Sequence, residues 1–316
     1  MSNRIVLKTK QAFGSVTSLI NRSKMNSWYS QKKLYDSIIL SSLTYNIGIW
    51  GLRYEDIIEK AQVGFFKNLL WLPRNTLNYI IRLETDTVKV SFLILKAALS
   101  WLFKLKSMSD QRLPKICFNR LKQLSDTSPI KYNWVTQLKT YFIVTESLDL
   151  WNTCLGDNVY NKSKLTADLL EKYKNILLNQ DLNRLANSSS LLVATSFSYE
   201  KLPFYLTLNC PTYLVRIIAQ LRLGTKNYIK LSDRTNIHKI QPIELCTICN
   251  MNQEETLSHL FFECPFYRHL RVNYLQGINS LDDLAVVLDS GSQEALSSVG
   301  GFVTSMLRVR SFLLNE

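Results

Sequence analysis

Three cysteines and one histidine lie within nineteen residues of this 316-residue chain, in "CTICNMNQEETLSHLFFEC", residues 246–264. Cys246 and Cys249 have the C-x-x-C spacing of a tight knuckle, in which backbone amides can point at both sulfurs while both sulfurs face one ion. His259 and Cys264 follow with a four-residue gap between them. Three thiolates and one imidazole form the closed tetrahedral shell that is typical of structural zinc. We therefore predict one structural Zn²⁺ on these four residues.

Other chemistry fits this cluster less well. A catalytic zinc keeps one position open for water, and the deaminase arrangement needs a His-x-Glu before a Pro-Cys-x-x-Cys, which this stretch lacks. Two alternatives stay open: buried free thiols beside a core histidine, and a redox-active C-x-x-C pair. The redox pair requires a strand before it and a helix starting at it, and "IQPIELCTICNMNQEE" favours neither. His269 is a weaker substitute ligand, and His238 is expected at the surface.

The elements that hold these ligands are predicted to be helical. Thr256 is placed as an N-cap, which puts His259 in the first turn of a helix running "LSHLFFE". Upstream, "CPTYLVRIIAQLRLG" predicts a helix with Pro211 in its first turn and Gly224 past its end. Its buried face would consist of four apolar residues: Leu214, Ile217, Ile218 and Leu221.

The remaining chain shows the same helical periodicity. One helix is predicted from Ile58, Ala61, Phe65 and Leu69, and another from Leu165, Leu169, Tyr173 and Ile176. The segments "LYDSIILSSLTYNIGIW" and "VSFLILKAALSWLFKL" are apolar nearly all round, which predicts central helices. Only "TSFSYEKLPFYLTL" favours a short strand. The predicted fold class is mainly α, a helical bundle followed by a small zinc-binding module.

The positive charge of the chain is concentrated in one part of the sequence. The formal net charge is +13, and residues 1–140 contain 22 Lys and Arg against 8 Asp and Glu. Residues 141–316 contain 16 against 17. A one-sided positive field favours a polyanion, of which nucleic acid is the commonest. The alternative is a basic domain without such a partner.

The sequence gives no indication of a membrane segment. The N-terminal stretch "MSNRIVLKTKQAFG" is charged throughout and does not resemble a signal peptide. The longest uncharged run, residues 37–52, is too short and too polar to span a bilayer. We expect a soluble intracellular protein, in the nucleus or the cytoplasm, without a membrane partner.

The Cys/His cluster and the residues before and after it resemble a known family. The run "LVRIIAQLRLGT…CTICNMNQEETLSHLFFECPFYRHLR" is similar to the zinc-binding tail of reverse transcriptases from jockey-like non-LTR retrotransposons. The tail of that family has Leu-Arg-x-Gly, Cys-x-x-Cys, an acidic residue and Thr before His-x-Leu, then Cys-Pro and an Arg. The matching positions are Leu221, Arg222, Gly224, Cys246, Cys249, Glu255, Thr256, His259, Cys264, Pro265 and Arg268 or Arg271. Thr225 departs from the His that many relatives carry.

The resemblance implies how the chain is organised. "KKLYDSIILSSLTYNIGIWG" and the two helical blocks after it look like the thumb of such a polymerase and its connection to the tail. The implied segments are a basic thumb-like helical domain at 1–127, a helical connector at 128–205 and a zinc-binding C-terminal domain at 206–316. The implied partners are RNA or DNA, bound largely without sequence preference, and other parts of a retrotransposon machinery.

The residues that would make such a chain a polymerase are not found. Nucleotidyl transfer requires metal-binding carboxylates on adjoining strands, which the family provides through an Ala-Asp-Asp turn and an upstream Asp. The acidic pairs here are Glu55–Asp56 and Asp282–Asp283, and neither follows a predicted strand. We therefore expect a C-terminal fragment that is not an enzyme.

Two classes of function follow from these patterns. The first is a zinc-stabilised nucleic-acid-binding module whose binding comes mainly from residues 1–140. The second is a scaffold protein that docks another protein through apolar helices. For the first class, the candidate phosphate contacts are Lys32, Lys33, Lys104, Lys106, Arg112, Lys115, Arg120, Lys122, Arg216, Arg222, Lys226, Lys230, Arg268 and Arg271.

Overall fold

The structure, a computed structural model, describes residues 2–127, 132–156, 161–189, 191–193, 196–199, 201–233 and 236–314. These residues are mainly helical. The α-helices before residue 160 are α1 (Ser2–Arg22), α2 (Trp28–Leu34), α3 (Ser41–Leu43), α4 (Ile47–Trp50), α5 (Glu55–Leu69), α6 (Asn78–Thr85), α7 (Val90–Lys106), α8 (Leu113–Thr127), α9 (Trp134–Val144) and α10 (Leu148–Leu155). Those after it are α11 (Lys162–Ala186), α12 (Phe204–Thr207), α13 (Thr212–Arg222), α14 (Arg268–Tyr274), α15 (Leu281–Ser290) and α16 (Gln293–Leu314).

The described residues also contain shorter helical turns and a hairpin. The π-helical turns are Tyr35–Leu40 and His259–Glu263, and the 3₁₀ turns are Gly51–Arg53 and Pro265–Tyr267. The strands β1 (Ile229–Ser232) and β2 (Ile237–Ile240) pair antiparallel in a two-stranded sheet. Among the described residues, no helix is both long enough and apolar enough to cross a membrane.

The chain forms two compact units that interleave along the sequence. Unit 1 consists of residues 1–15, 36–63 and 88–182, and unit 2 consists of residues 16–35, 64–87 and 183–316. The predicted division into three segments, with boundaries after residues 127 and 205, is based on the family resemblance and not on packing. It stays a prediction.

Unit 1 is organised around α7. Its residues Leu95, Leu99 and Leu102 are fully buried in a cluster with side chains of α8, α9, α10 and α11. α7 also packs against α4. Gly48 of α4 lies so close to α7 that an added Cβ would be 2.6 Å from the carbonyl oxygen of Ala97. α7 is therefore the central helix that its all-round apolar sequence predicts.

Unit 2 contains the hairpin and the predicted metal ligands. The inner face of α13 is fully buried, and α13 packs against β1 and α16. Gln220 of α13 accepts a hydrogen bond from the backbone N of Ser232 at 2.8 Å and donates one to its hydroxyl at 2.9 Å. These contacts fix β1 on α13.

The predicted helices α5, α7, α11 and α13 are confirmed. The four apolar residues predicted for the inner face of α13 are buried, and so are Ile58, Ala61, Phe65 and Leu69 of α5. In α11, Leu165, Leu169 and Tyr173 are buried.

Three predictions on local structure are wrong. "LYDSIILSSLTYNIGIW" is not one helix: Asn46 adopts a left-handed conformation with φ 52°, and Ile49 beyond it is about half exposed. The described part of "TSFSYEKLPFYLTL" contains no strand and includes α12, while the hairpin lies at 229–240. His238 is buried rather than at the surface. It lies on the inner face of β2, between two exposed residues of the strand.

Candidate metal centre

The four predicted ligands meet at one point of unit 2. The sulfur atoms of Cys246, Cys249 and Cys264 and a ring nitrogen of His259 all lie within 4.8 Å of one another, and all four residues are buried. The Sγ atom of Cys249 is 3.3 Å from Nε2 of His259. A tetrahedral zinc with Zn–S bonds of about 2.3 Å and a Zn–N bond of about 2.0 Å has ligand–ligand edges of roughly 3.5–3.8 Å. The cluster therefore has the donors of a zinc site, close enough together to hold one metal ion.

The knuckle is shaped by its own backbone. The amides of Ile248 and Cys249 donate hydrogen bonds to the sulfur of Cys246. The amide of Cys246 donates to the carbonyl oxygen of Gln253 at 2.8 Å, which closes the loop. Amide donors directed at a sulfur favour its thiolate form, the form that binds metals.

The second pair of ligands is supplied by a short helical segment. The hydroxyl oxygen of Thr256 accepts a hydrogen bond from the amide of His259 at 3.1 Å, so the predicted N-cap is confirmed. The segment then widens into the π-helical turn. The amide of Cys264 donates to the carbonyl oxygen of His259, five residues earlier, at 2.7 Å. This bond ties the backbones of the two ligands together.

The imidazole of His259 is oriented by a residue that the sequence reasoning missed. Its Nδ1 atom lies 2.9 Å from Oε1 of Gln253, and Oε2 of Glu263 lies 3.8 Å from the same nitrogen. A proton on Nδ1 that is donated to these oxygens leaves the lone pair of Nε2 directed at the sulfurs. No spacing rule identifies Gln253 in advance, because its role arises from the shape of the loop.

Electrostatics favour a cation at the centre. Burial, and after it the neighbouring sulfurs of Cys246 and Cys249, raise the pKa of the Cys264 thiol to about 12. Burial also raises the pKa of Cys246. Three ionised sulfurs at this spacing would repel one another, and a divalent cation between them reverses that repulsion.

Two arginines connect the ligand segment, residues 246–264, to the helices that follow it. Arg310 of α16 forms a buried ion pair with Glu255. Arg271 of α14 donates a hydrogen bond from Nη1 to the carbonyl oxygen of Cys264 at 2.8 Å. His269, considered as a substitute ligand, is exposed and is not part of the cluster. Among the described residues, the cluster therefore consists of the four residues that the spacing predicts.

The structure removes Arg222 from the candidate phosphate contacts. Arg222 is fully buried, with Nε 2.7 Å from Oε1 of Glu84 and Nη1 donating to the carbonyl oxygen of Leu288 at 2.8 Å. Its guanidinium carbon lies 3.8 Å from the ring centroid of Phe197. The residue that matches the Arg of the family motif is thus enclosed by the fold of unit 2 and is not accessible to nucleic acid.

Arg216 is removed for the same reason. It is buried, its Nε donates to the carbonyl oxygen of Leu69 at 2.9 Å, and its guanidinium stacks over Trp71. Burial lowers its pKa to about 10. Both arginines belong to α13, whose residues 214–222 are all buried, so cations on this helix serve packing within unit 2.

The other candidate phosphate contacts keep some exposure. The exposed ones are Lys33, Lys104, Arg112, Arg120, Lys226 and Arg268. The half-buried ones are Lys32, Lys106, Lys115, Lys122, Lys230 and Arg271. Among the half-buried group, Lys106 donates to the carbonyl oxygen of Gly156 at 2.5 Å, a contact within unit 1.

Comparisons of the chain with protein-family models, with curated proteins and with solved structures found no match. The resemblance to reverse transcriptase tails therefore stays a prediction that depends on the motif residues. The geometry of the Cys/His cluster does not depend on it.

Proposed function

We propose that the chain is a nucleic-acid-binding protein whose C-terminal part is stabilised by one structural zinc, and that it is related to the C-terminal part of non-LTR retrotransposon reverse transcriptases. The observation that carries the proposal is the cluster of three buried sulfurs and one buried imidazole nitrogen within 4.8 Å. Structural zinc is bound by such closed Cys₃His sets, whereas Ca²⁺ and Mg²⁺ require oxygen ligands.

The role assigned to the zinc is to hold unit 2 together locally. The ligand segment carries little regular structure of its own, with a knuckle, a π-helical turn and a 3₁₀ turn. Short segments of this kind bury too little apolar surface to fold alone, so metal binding supplies folding free energy. The Glu255–Arg310 pair and the Arg271 contact would transmit this constraint to α14 and α16.

The role assigned to the cations is sequence-independent phosphate binding. It is supported by the net charge of +14 in residues 1–140 and by the exposure of Lys33, Lys104, Arg112 and Arg120 in that part of the chain. Exposed Lys and Arg release counterions from a nucleic acid when they neutralise its phosphates. Because no feature of the sequence resembles a helix that reads the major groove, we expect weak sequence preference.

We also propose that the chain does not catalyse polymerisation. Glu55 and Asp56 lie in the first turn of α5, and Asp282 and Asp283 lie in the first turn of α15. Carboxylates at these positions stabilise helix N-termini. Asp283 accepts from the backbone amide of Asn279 at 3.0 Å, and this bond lowers its pKa.

A salt titration of the 316-residue chain tests the binding proposal. If about five cations contact phosphate, the logarithm of affinity for RNA or DNA falls with the logarithm of salt concentration at a slope near −4. The triple variant Lys104→Gln, Arg112→Gln, Arg120→Gln should lose roughly two units of that slope, whereas the control Lys172→Gln, Lys174→Gln on α11 should not. No binding, or binding independent of salt, would favour the scaffold function in its place.

A further inference from the structure

The hairpin places two lysines directly opposite each other. In the register of β1 and β2, Lys230 faces Lys239, and both lie on the outer face of the sheet. The neighbouring pairs, Ile229 with Ile240 and Leu231 with His238, are buried on the inner face. Residues that face each other in a sheet have Cβ atoms about 5 Å apart, so their ammonium groups can reach the same ligand.

This pairing leaves positive charge without compensation. Like charges at facing positions destabilise a sheet, whereas opposite charges stabilise it. Neither ammonium group makes a hydrogen bond or an ion pair with a residue that the structure describes. Burial and, after it, the charge of Lys239 lower the pKa of Lys230. The fold therefore holds two cations together at an energetic cost and provides no carboxylate to offset it among the described residues.

The hairpin is also anchored to the rest of unit 2. Gln220 holds β1 through the backbone and the hydroxyl of Ser232, and the inner side chains are buried in unit 2. The backbone positions of the two lysines are thus fixed. A pre-organised pair of cations suits a bidentate anion better than two lysines on a mobile loop, because less ordering is needed on binding.

We propose that Lys230 and Lys239 form a phosphate-binding clasp for the backbone of a nucleic acid. This inference rests on the proposed nucleic-acid binding and extends it from the basic residues 1–140 to a defined pair in unit 2. Lys239 adds a residue that the sequence pattern did not indicate, since the partner of Lys230 becomes known only from the strand register. The competing explanation is that each lysine protects one edge of the two-stranded sheet against pairing with another chain.

The test compares two double variants of the zinc-loaded 316-residue chain with the wild type. Lys230→Gln, Lys239→Gln removes the clasp but keeps polar side chains at both edges. Lys172→Gln, Lys174→Gln removes the same charge from exposed positions of α11. Affinity for a labelled single-stranded RNA is measured from about 50 to 200 mM salt, together with the thermal midpoint of each protein.

The clasp variant should reduce the magnitude of the salt slope by about 1.4, the value for two contacts to a single strand, and the α11 variant should not change it. The thermal midpoint of the clasp variant should stay the same or rise, because this variant lacks the repulsive pair of lysines. The variant Lys230→Arg, Lys239→Arg should keep the full slope. If the wild type binds RNA and both glutamine variants have equal salt slopes, the clasp proposal is wrong but the proposed function stands. The same conclusion follows if the clasp variant aggregates without losing affinity. Absence of wild-type binding overturns the proposed function and the clasp together.

Discussion

Replacing Arg222 with methionine should destabilise unit 2 strongly. Arg222 and Glu84 are fully buried, and Oε1 of Glu84 accepts from Arg222 Nε at 2.7 Å and from the hydroxyl of Tyr205 at 2.7 Å. The substitution leaves the carboxylate with one hydroxyl partner in an apolar setting. Removing one member of a buried ion pair costs about 3–5 kcal/mol, because the other charge remains buried without its partner.

Hydrogen exchange of the α13 amides measures this cost within unit 2. A loss of about 3–5 kcal/mol accelerates exchange through global opening by roughly a hundred- to several-thousand-fold. The double variant Glu84→Gln, Arg222→Met should recover most of the loss, because it removes both charges. As a control, Arg268→Met replaces an exposed arginine and should change the free energy of unfolding by about 0.5 kcal/mol or less.

Two results would refute this reasoning. An Arg222→Met protein within about 1 kcal/mol of the wild type would show that the buried pair does not stabilise unit 2. Unchanged exchange together with a weaker affinity for RNA would return Arg222 to the role that the sequence pattern predicts, a phosphate contact.

Three further predictions test other parts of the account. Cys264→Ser should lose the bound zinc and unfold mainly the C-terminal part of the chain, whereas Cys117→Ser, at an exposed cysteine, should keep one zinc per chain by elemental analysis. Gly48→Ala should destabilise unit 1 by about 1–3 kcal/mol, since the new Cβ meets the backbone of Ala97, whereas Gly64→Ala on α5 has open space and should stabilise its helix by up to about 1 kcal/mol in thermal denaturation. The isolated chain should not extend a primer on any template with Mg²⁺ or Mn²⁺, and template-dependent incorporation above a mock purification would contradict this.

The features that sequence reasoning predicted correctly are local ones. The spacing of Cys246, Cys249, His259 and Cys264 identified a set that the fold brings together, because a knuckle and one helical turn are enough to position all four. The helical periods of α5, α7, α11 and α13 were equally readable, since an amphipathic or fully apolar pattern depends only on neighbouring residues.

The features that it missed depend on contacts distant in sequence. Arg222 matches a family motif, yet its partner Glu84 lies 138 positions away and determines that the arginine is buried. The hairpin was missed although Ile229 and Leu231 alternate with polar residues, because each strand has only four residues and its apolar face is defined by packing on α13. The helix is interrupted at Asn46 because this residue adopts a left-handed backbone conformation. The apolar residues around Asn46 give no sign of that conformation in the sequence.

The X-ray absorption spectrum of the zinc-loaded protein would show whether three cysteines and one histidine bind the metal. We expect a first shell of three sulfurs at about 2.3 Å and one nitrogen at about 2.0 Å, without a bound water. The spectrum of a Cys264→Ser protein that retained any zinc should show one sulfur fewer. A first shell of nitrogen and oxygen alone, a two-sulfur shell with water, or a protein without zinc would contradict the assignment of Cys246, Cys249, His259 and Cys264 as a closed structural site.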